Sequence, residues 1–313
     1  MVETVTIPTA EADDHLMTRR REPVLRVDGL TVRYGDTVTV RDVHLELHAG
    51  ETVALVGGSG AGKSTIAKAI AGLVVPSAGS ALLDISAGTR ETGRDIAAAD
   101  GDRPELVDLL AAPTSVRRAA RRAVHLVMQD PYASLPPHRR ILDIVTEPLV
   151  IHRIGSVAER EAAARTALLA VDLDPARYAH RYPHELSGGE RQRVAFSRAI
   201  VTRPAVILAD EPTGMLDATL RAGMAQLMGD LARDHGTAIL HITHDLALAA
   251  STCDRVIVMA EGAIVEQGAT RQVLHNPQHA TTKRLLAAAL RGARRVRDAA
   301  PRWSETADTT PTS

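Results

Sequence analysis

The run Gly57-Gly58-Ser59-Gly60-Ala61-Gly62-Lys63-Ser64-Thr65 narrows what this chain can fold into more than any other stretch of it. Residues 57–64 satisfy the phosphate-loop pattern G-x-x-x-x-G-K-[ST], in the context that the pattern requires. Thr52 to Val56 reads as a short buried strand before it, and Ile66, Ile70 and Leu73 recur at helical spacing behind it. A strand, a glycine loop and a helix in that order aim a helix N-terminus and successive backbone N–H groups at an anion. The glycines let the backbone curl tightly enough to do so. Lys63 is then placed to neutralise the β and γ phosphates of a nucleotide, and Ser64 to set its hydroxyl on Mg²⁺.

Magnesium chemistry also needs acids at the end of a buried strand, and Val206-Ile207-Leu208-Ala209-Asp210-Glu211 offers them. Asp210 can orient metal-bound water, and Glu211 can polarise the water that attacks a γ-phosphate. Length and composition fit such an enzyme: 313 residues at 45% hydrophobic content suffice for one substantial α/β domain with smaller additions. Lys and Arg total 37 against 38 Asp and Glu, a formal net charge of -1, so no global charge for nucleic acid exists. Aromatic content of 2% leaves little to stack single-stranded bases on. The single cysteine, Cys253, reads as a small buried residue in a chain suited to a reducing compartment. No apolar run reaches the roughly 18 residues needed to cross a bilayer, so the sequence reads as a chain that does not itself span a membrane.

Periodicity supplies the organisation. Val24 to Val32 and Val38 to Leu47 read as one-sided antiparallel strands, with Val43, Leu45 and Leu47 alternating with polar neighbours. Order returns at Val124–Met128, and buried strands at Val206–Leu208 and Ala238–Ile242 alternate with helical stretches at Ile141–Leu173 and Val194–Ile200. A further helix carries an apolar stripe of Leu220, Met224, Leu227 and Leu231. Such alternation predicts a largely parallel sheet with helices on both faces. Arg255–Met259 and Ala263–Val265 flank a turn at Glu261 and Gly262. Between Asp84 and Arg122 the pattern weakens. Glu105–Ala112 and Val116–Ala123 read either as short helices or as parts of a mobile surface insertion, with Arg117, Arg118, Arg121 and Arg122 on a solvated face.

Leu186-Ser187-Gly188-Gly189-Glu190-Arg191-Gln192-Arg193 adds a second helix start that can present a hydroxyl and N–H groups to phosphate. With this segment the sequence resembles the nucleotide-binding subunits of ABC transporters, over roughly residues 24–290. The other matches follow in the family's order. Tyr34 falls at the aromatic position that packs on adenine, and Gln129, in Gln129-Asp130-Pro131, on the residue that senses metal and attacking water. Asp217 falls in the loop that crosses the dimer axis, and His244 on the switch histidine at the γ-phosphate, while His241 reads as structural. Gln129 to Leu135, Glu147-Pro148-Leu149 and Asn276-Pro277-Gln278-His279 look like the oligopeptide and dipeptide import branch, which also carries nickel. Gly214 and Met215 depart from the common serine-alanine pair, and Pro136 stands where that branch often has Asn. Cys253 is alone where some members carry a cysteine cluster, so no iron–sulfur centre is expected.

The resemblance implies an α/β fold, a P-loop ABC-type nucleotide-binding domain with an antiparallel β subdomain and a helical subdomain. It places the ATPase domain at 23–270, with an insertion at about 85–123 and the helical subdomain at about 130–190. A C-terminal extension follows at 271–292, and disordered segments are expected at 1–22 and 293–313. ATP and Mg²⁺ are the implied ligands, held by Tyr34, the 57–65 loop, Gln129 and Asp210, with Ser64, Gln129 and Asp210 at the metal. Glu211, His244, Gln129 and Lys63 are the implied catalytic residues, and Ser187, Gly188, Gly189 and Glu190 would face the ATP of a second subunit, identical or homologous. Two transmembrane permease subunits, and through them an extracytoplasmic solute-binding protein, are the implied partners, at the cytoplasmic face of the membrane. No nucleic-acid partner is expected. A soluble ABC-type ATPase of DNA repair or translation is the alternative, although such relatives carry a coiled-coil insertion or tandem cassettes that this sequence lacks. A chain that binds ATP without turnover is opposed by the retention of Lys63, Asp210, Glu211 and His244.

Overall fold

The computed structural model describes residues 22–85, 106–130 and 134–299. The expected leader up to residue 21, the 86–105 part of the expected insertion, residues 131–133 and the part of the expected tail beyond 299 lie outside the described residues, whereas residues 293–299, expected in the disordered tail, continue the helix Ala280–Ala299.

Along Leu25–Tyr34 (β1) and Thr37–Leu47 (β2), apolar residues alternate with polar ones, leaving each strand one face to bury. The two pair antiparallel, Leu25 opposite Leu47 and Val27 opposite Leu45. Ala78–Asp84 (β4) and Leu106–Asp108 (β5) complete an antiparallel sheet in the order β2-β1-β4-β5. The strand at β5 corrects the reading of Glu105–Ala112 as a helix or as surface insertion. Val107 and Leu109 are buried, and the Asp108 carboxylate accepts from the Ala81 and Leu110 N–H groups at 3.2 and 2.9 Å. A short apolar run does not reveal its period, and pairing with β4 decides it. The second segment is helical, as Thr114–Ala120.

The parallel core contains Thr52–Gly57 (β3), Val124–Val127 (β6), Val206–Asp210 (β7), Ala238–Thr243 (β8) and Arg255–Ala260 (β9). Ala263–Ala269 (β10) joins the edge antiparallel, and the order is β10-β9-β3-β8-β7-β6. Every residue of β3, β7 and β8 is buried, since each has strands on both edges and packed layers on both faces. On one face, Leu55, Leu208 and Leu240 join the antiparallel sheet and the helix Lys63–Ile70 (α1) in a single apolar core. On the other, Ile207 and Ile239 meet a helical layer that includes Ile141, Leu168 and Phe196. Phe196 is the chain's one phenylalanine and is fully buried, worth about 1.5–3 kcal/mol in water-exclusion alone.

That layer is built from the helices Ile141–Ile151, Val157–Leu169, Pro175–Tyr178 and Gly188–Ile200. The continuous helical stretch expected from Ile141 to Leu173 is therefore interrupted. Arg153 and Gly155 adopt left-handed backbone (φ 55° and 67°), and Ser156 with Glu159 forms a reciprocal capping box that starts the next helix. The helix Ala218–His235 buries Met224, Leu227 and Leu231, but Leu220, expected in the same stripe, is 45% exposed one turn from its start.

Candidate nucleotide-binding site

All parallel strands point their carboxyl ends to one side of the sheet, the side where open α/β sheets bind ligands. The loop after β3 leads into α1, whose N-cap is Gly62 in left-handed backbone (φ 98°). That helix has no side-chain cap and no acid in its first turn, so its leading N–H groups are left for an anion. Gly58, Ser59 and Gly60 are exposed at the rim, whereas Ala61, Gly62 and Lys63 are buried. Lys63 Nζ turns back over the loop and donates to the Gly57 and Gly58 carbonyls, each at 3.0 Å. Burial pushes its pKa down, opposed by the charges of Glu211 and Asp210. A desolvated ammonium inside a cradle of backbone donors fits a polyphosphate.

Ser64 Oγ donates to Asp210 Oδ1 at 2.7 Å, joining the start of α1 to the end of β7 across β8. Burial raises the Asp210 pKa, and the Ser64 hydrogen bond works against it. A buried carboxylate beside a hydroxyl is a hard-oxygen donor pair suited to Mg²⁺. Glu211, the next residue, meets two other groups: Gln129 Nε2 donates to its Oε2 at 3.2 Å, and His244 Nδ1 lies 3.5 Å from its Oε1. Gln129 follows β6 and His244 follows β8, the two strands that flank β7, so they straddle Glu211 from both sides. Thr65 continues into α1. His241 is fully buried within β8 with its pKa pushed down to about 4.

Two further groups stand on other elements. Tyr34 ends β1, half-exposed, at a hairpin turn through Gly35. Ser187 caps the helix Gly188–Ile200: its Oγ accepts from the Glu190 N–H at 3.3 Å while Glu190 Oε2 accepts from the Ser187 N–H at 2.7 Å. Gly189 is buried, and a Cβ built there would meet Leu220 at 3.4 Å, so the second glycine of the segment lies beside the start of the helix Ala218–His235. Asp217 caps the helix Ala218–His235 through the Leu220 N–H.

The family model described as ABC transporter matches residues 40–214. The chain belongs to the ABC transporter family. The glutathione import ATP-binding protein GsiA of Escherichia coli (strain K12) is 41% identical over 280 residues, covering 85% of this ABC chain. GsiA of Shigella flexneri is 40% identical over the same span. The alignment takes in 41% of either relative, so the chain spans about two fifths of the length of the curated relatives it matches. Among solved structures, the dimeric bacterial ABC transporter cassette MJ0796 superposes with a TM-score of 0.64 at 28% identity, covering 79% of this chain and 99% of that one. The ABC fold thus holds over the described core, including the mixed sheet and the helical layer.

Sequence reasoning missed several contacts within this ABC chain. Tyr178 belongs to no motif, yet its hydroxyl donates to Glu190 Oε1 at 2.5 Å. Glu147, quoted only for its resemblance, is bonded by both Arg139 and Arg198, and Arg198 also donates to the Ser134 carbonyl at 3.3 Å. No local pattern signals the Tyr178–Glu190 or Arg198–Glu147 contacts, because those partners are brought together by the packing of separate helices.

Proposed function

We propose that this chain binds and hydrolyses ATP as one ATP-binding subunit of an ABC importer for peptides or similar small solutes. What supports it most directly is the convergence of an uncapped helix start, Lys63, the Ser64–Asp210 pair and the Glu211–Gln129–His244 group at one end of the parallel sheet. In this reading the 57–65 loop and Lys63 hold the phosphates, and the half-exposed ring of Tyr34 stacks on adenine. Ser64 and Asp210, with Gln129, hold Mg²⁺, which when bound supplies neutralisation of phosphate charge. Glu211 polarises a water for in-line attack on the γ-phosphorus: a P–O bond to water forms, the P–O bond to ADP breaks, and ADP and phosphate leave. Gln129, which donates to one oxygen of that carboxylate, and His244, whose Nδ1 lies 3.5 Å from the other, orient it.

Ser187, Gly188, Gly189 and Glu190 present the second phosphate cradle to the ATP held by another ATP-binding subunit, so closure of the pair depends on ATP and hydrolysis releases it. The dimeric MJ0796 cassette supports the pairing, and the likeness to GsiA supports a peptide-class cargo. Among the described residues no helix is long and apolar enough to cross a membrane, so permease subunits would supply the pathway and hold this chain at the cytoplasmic face. A solute-binding protein outside would deliver the cargo. Affinity purification after mild membrane extraction tests the reading. Recovery of two integral membrane permeases, with ATPase activity that responds to them, supports it. A chain fully active without membrane partners and stimulated by DNA or ribosomes overturns it.

A further inference from the structure

The second cradle contains a chemical problem. Glu190 is the third residue of the helix whose N-terminus would receive a γ-phosphate, and a free carboxylate there repels the incoming anion. Both of its oxygens are engaged. Oε2 accepts from the Ser187 N–H at 2.7 Å, and Oε1 accepts from the Tyr178 hydroxyl at 2.5 Å. Tyr178 is 7% exposed, fixed between helices, and its ring carries two cations, with the Arg177 and Arg181 guanidinium carbons 5.2 and 5.1 Å from its centroid. Two guanidinium groups thus lie over the ring whose hydroxyl holds the acid, adding positive charge near the carboxylate.

We propose that Tyr178 is a positioning residue for the signature segment, locking the Glu190 carboxylate into its capping role so that it does not oppose the phosphate. This rests on the reading of Ser187 to Gly189 as the cradle for a partner's ATP. The Glu190 pKa lies below its ordinary value, with the Tyr178 hydrogen bond as the leading cause, so the acid is held as the anion that needs such restraint. Tyr178→Phe removes the hydroxyl while keeping the ring and its two cations. A released carboxylate repels the phosphate equally before and during reaction, so KM for ATP rises while kcat holds.

The test is steady-state ATPase kinetics of the full chain, co-purified with its transporter partners, for Tyr178→Phe, Glu190→Gln, the double variant and Ser187→Ala. The expected result is a rise in KM of about threefold to tenfold in Tyr178→Phe, the scale of a lost hydrogen bond at a helix cap, with kcat within about twofold. In the Glu190→Gln background the same change should have no effect, because no carboxylate remains to restrain. An unchanged KM in Tyr178→Phe, a fall in kcat instead, or an effect that persists beside Glu190→Gln overturns the proposal. If Ser187→Ala raises KM and Tyr178→Phe does not, only this inference fails. If neither does, the cradle reading fails with it.

Discussion

Two adjacent glycines of the phosphate loop should respond very differently to the same substitution. Gly57 is the last residue of β3 and pairs with Met259 of β9. A Cβ built on Gly57 sits 2.5 Å from the Met259 carbonyl oxygen and 3.3 Å from Ala61 Cβ, where ordinary contact begins at 3.4 Å. Gly57→Ala therefore needs about 0.9 Å of relief from backbone that is itself held between β3 and β10. Overpacking of this kind costs about 1–3 kcal/mol. A shift approaching 1 Å in a loop that positions reacting groups lowers rate about 10²-fold. Gly58, one residue on, is exposed, has no atom within 4 Å of a Cβ and does not need left-handed backbone. Gly58→Ala should change stability by less than about 0.5 kcal/mol. Urea denaturation of the two variants and the parent gives the stabilities, and titration with a fluorescent ATP analogue gives the affinities. A Gly57→Ala chain with parental midpoint and affinity, or a Gly58→Ala chain destabilised as much, would refute the steric reasoning.

Glu211→Gln should slow steady-state hydrolysis by at least about 10²-fold while ATP still binds, and should accumulate a trapped dimer on size-exclusion chromatography. Parental turnover would remove Glu211 from the water-polarising role. Lys63→Ala should weaken ATP binding by about tenfold or more, measured by calorimetry, with its thermal midpoint little changed because only two carbonyl contacts are lost. Stability should also depend on His125 and His241, whose pKa values burial pushes from 6.5 down to about 4. Below pH 6.5 the unfolded chain takes up protons that the folded chain refuses. Stability is therefore complete above that pH and falls between 6.5 and about 4, by up to about 1.4 kcal/mol per pH unit for each histidine. Urea midpoints at about pH 7.5 and about pH 5 should show a shallower decline in His125→Gln than in the parent. Equal declines would count against a neutral His125 in the folded chain.

Local order made the phosphate loop legible, since strand, glycine run and helix are contiguous from Thr52 to Ile70. Asp210 and Glu211 were legible as strand-ending acids for the same reason. The Gln129–Glu211 and His244–Glu211 contacts were not, because they span 82 and 33 residues and depend on which strands lie beside β7. Leu106–Asp108 was misread because its partner β4 lies across residues that carry no pattern. The break before Val157 is a different kind of miss. Gly155 followed by Ser156-Val157-Ala158-Glu159 is a stop signal and a capping box in plain view, outweighed by the apolar periodicity around them. Nor could sequence say which loop glycines are indispensable, because the atom that excludes a side chain at Gly57 belongs to Met259, about 200 residues on.

Glu211 itself sits in left-handed backbone at φ 46°, a conformation that costs a non-glycine residue about 1–2 kcal/mol. Pro212 behind it disfavours the ordinary helical alternative. The strained turn is fixed at both ends: the Glu211 N–H donates to the Ile242 carbonyl at the end of β8, and the Gly214 N–H donates to the Glu211 carbonyl, both at 3.0 Å. Strain of this size persists only where surroundings over-determine it. Its effect is to end the strand between two consecutive acids and give them different neighbours. Asp210, still in β7, is bonded to Ser64 from the phosphate loop, whereas Glu211, past the strand end, is reached by Gln129 and His244 from the flanking strands. A regular strand would also separate neighbouring side chains, but only to its two faces, one of which here is the apolar helical layer. The left-handed residue lets both carboxylates remain at the polar end of the sheet, so the acid that would hold metal and the acid that would polarise water can be adjacent in sequence and distinct in role.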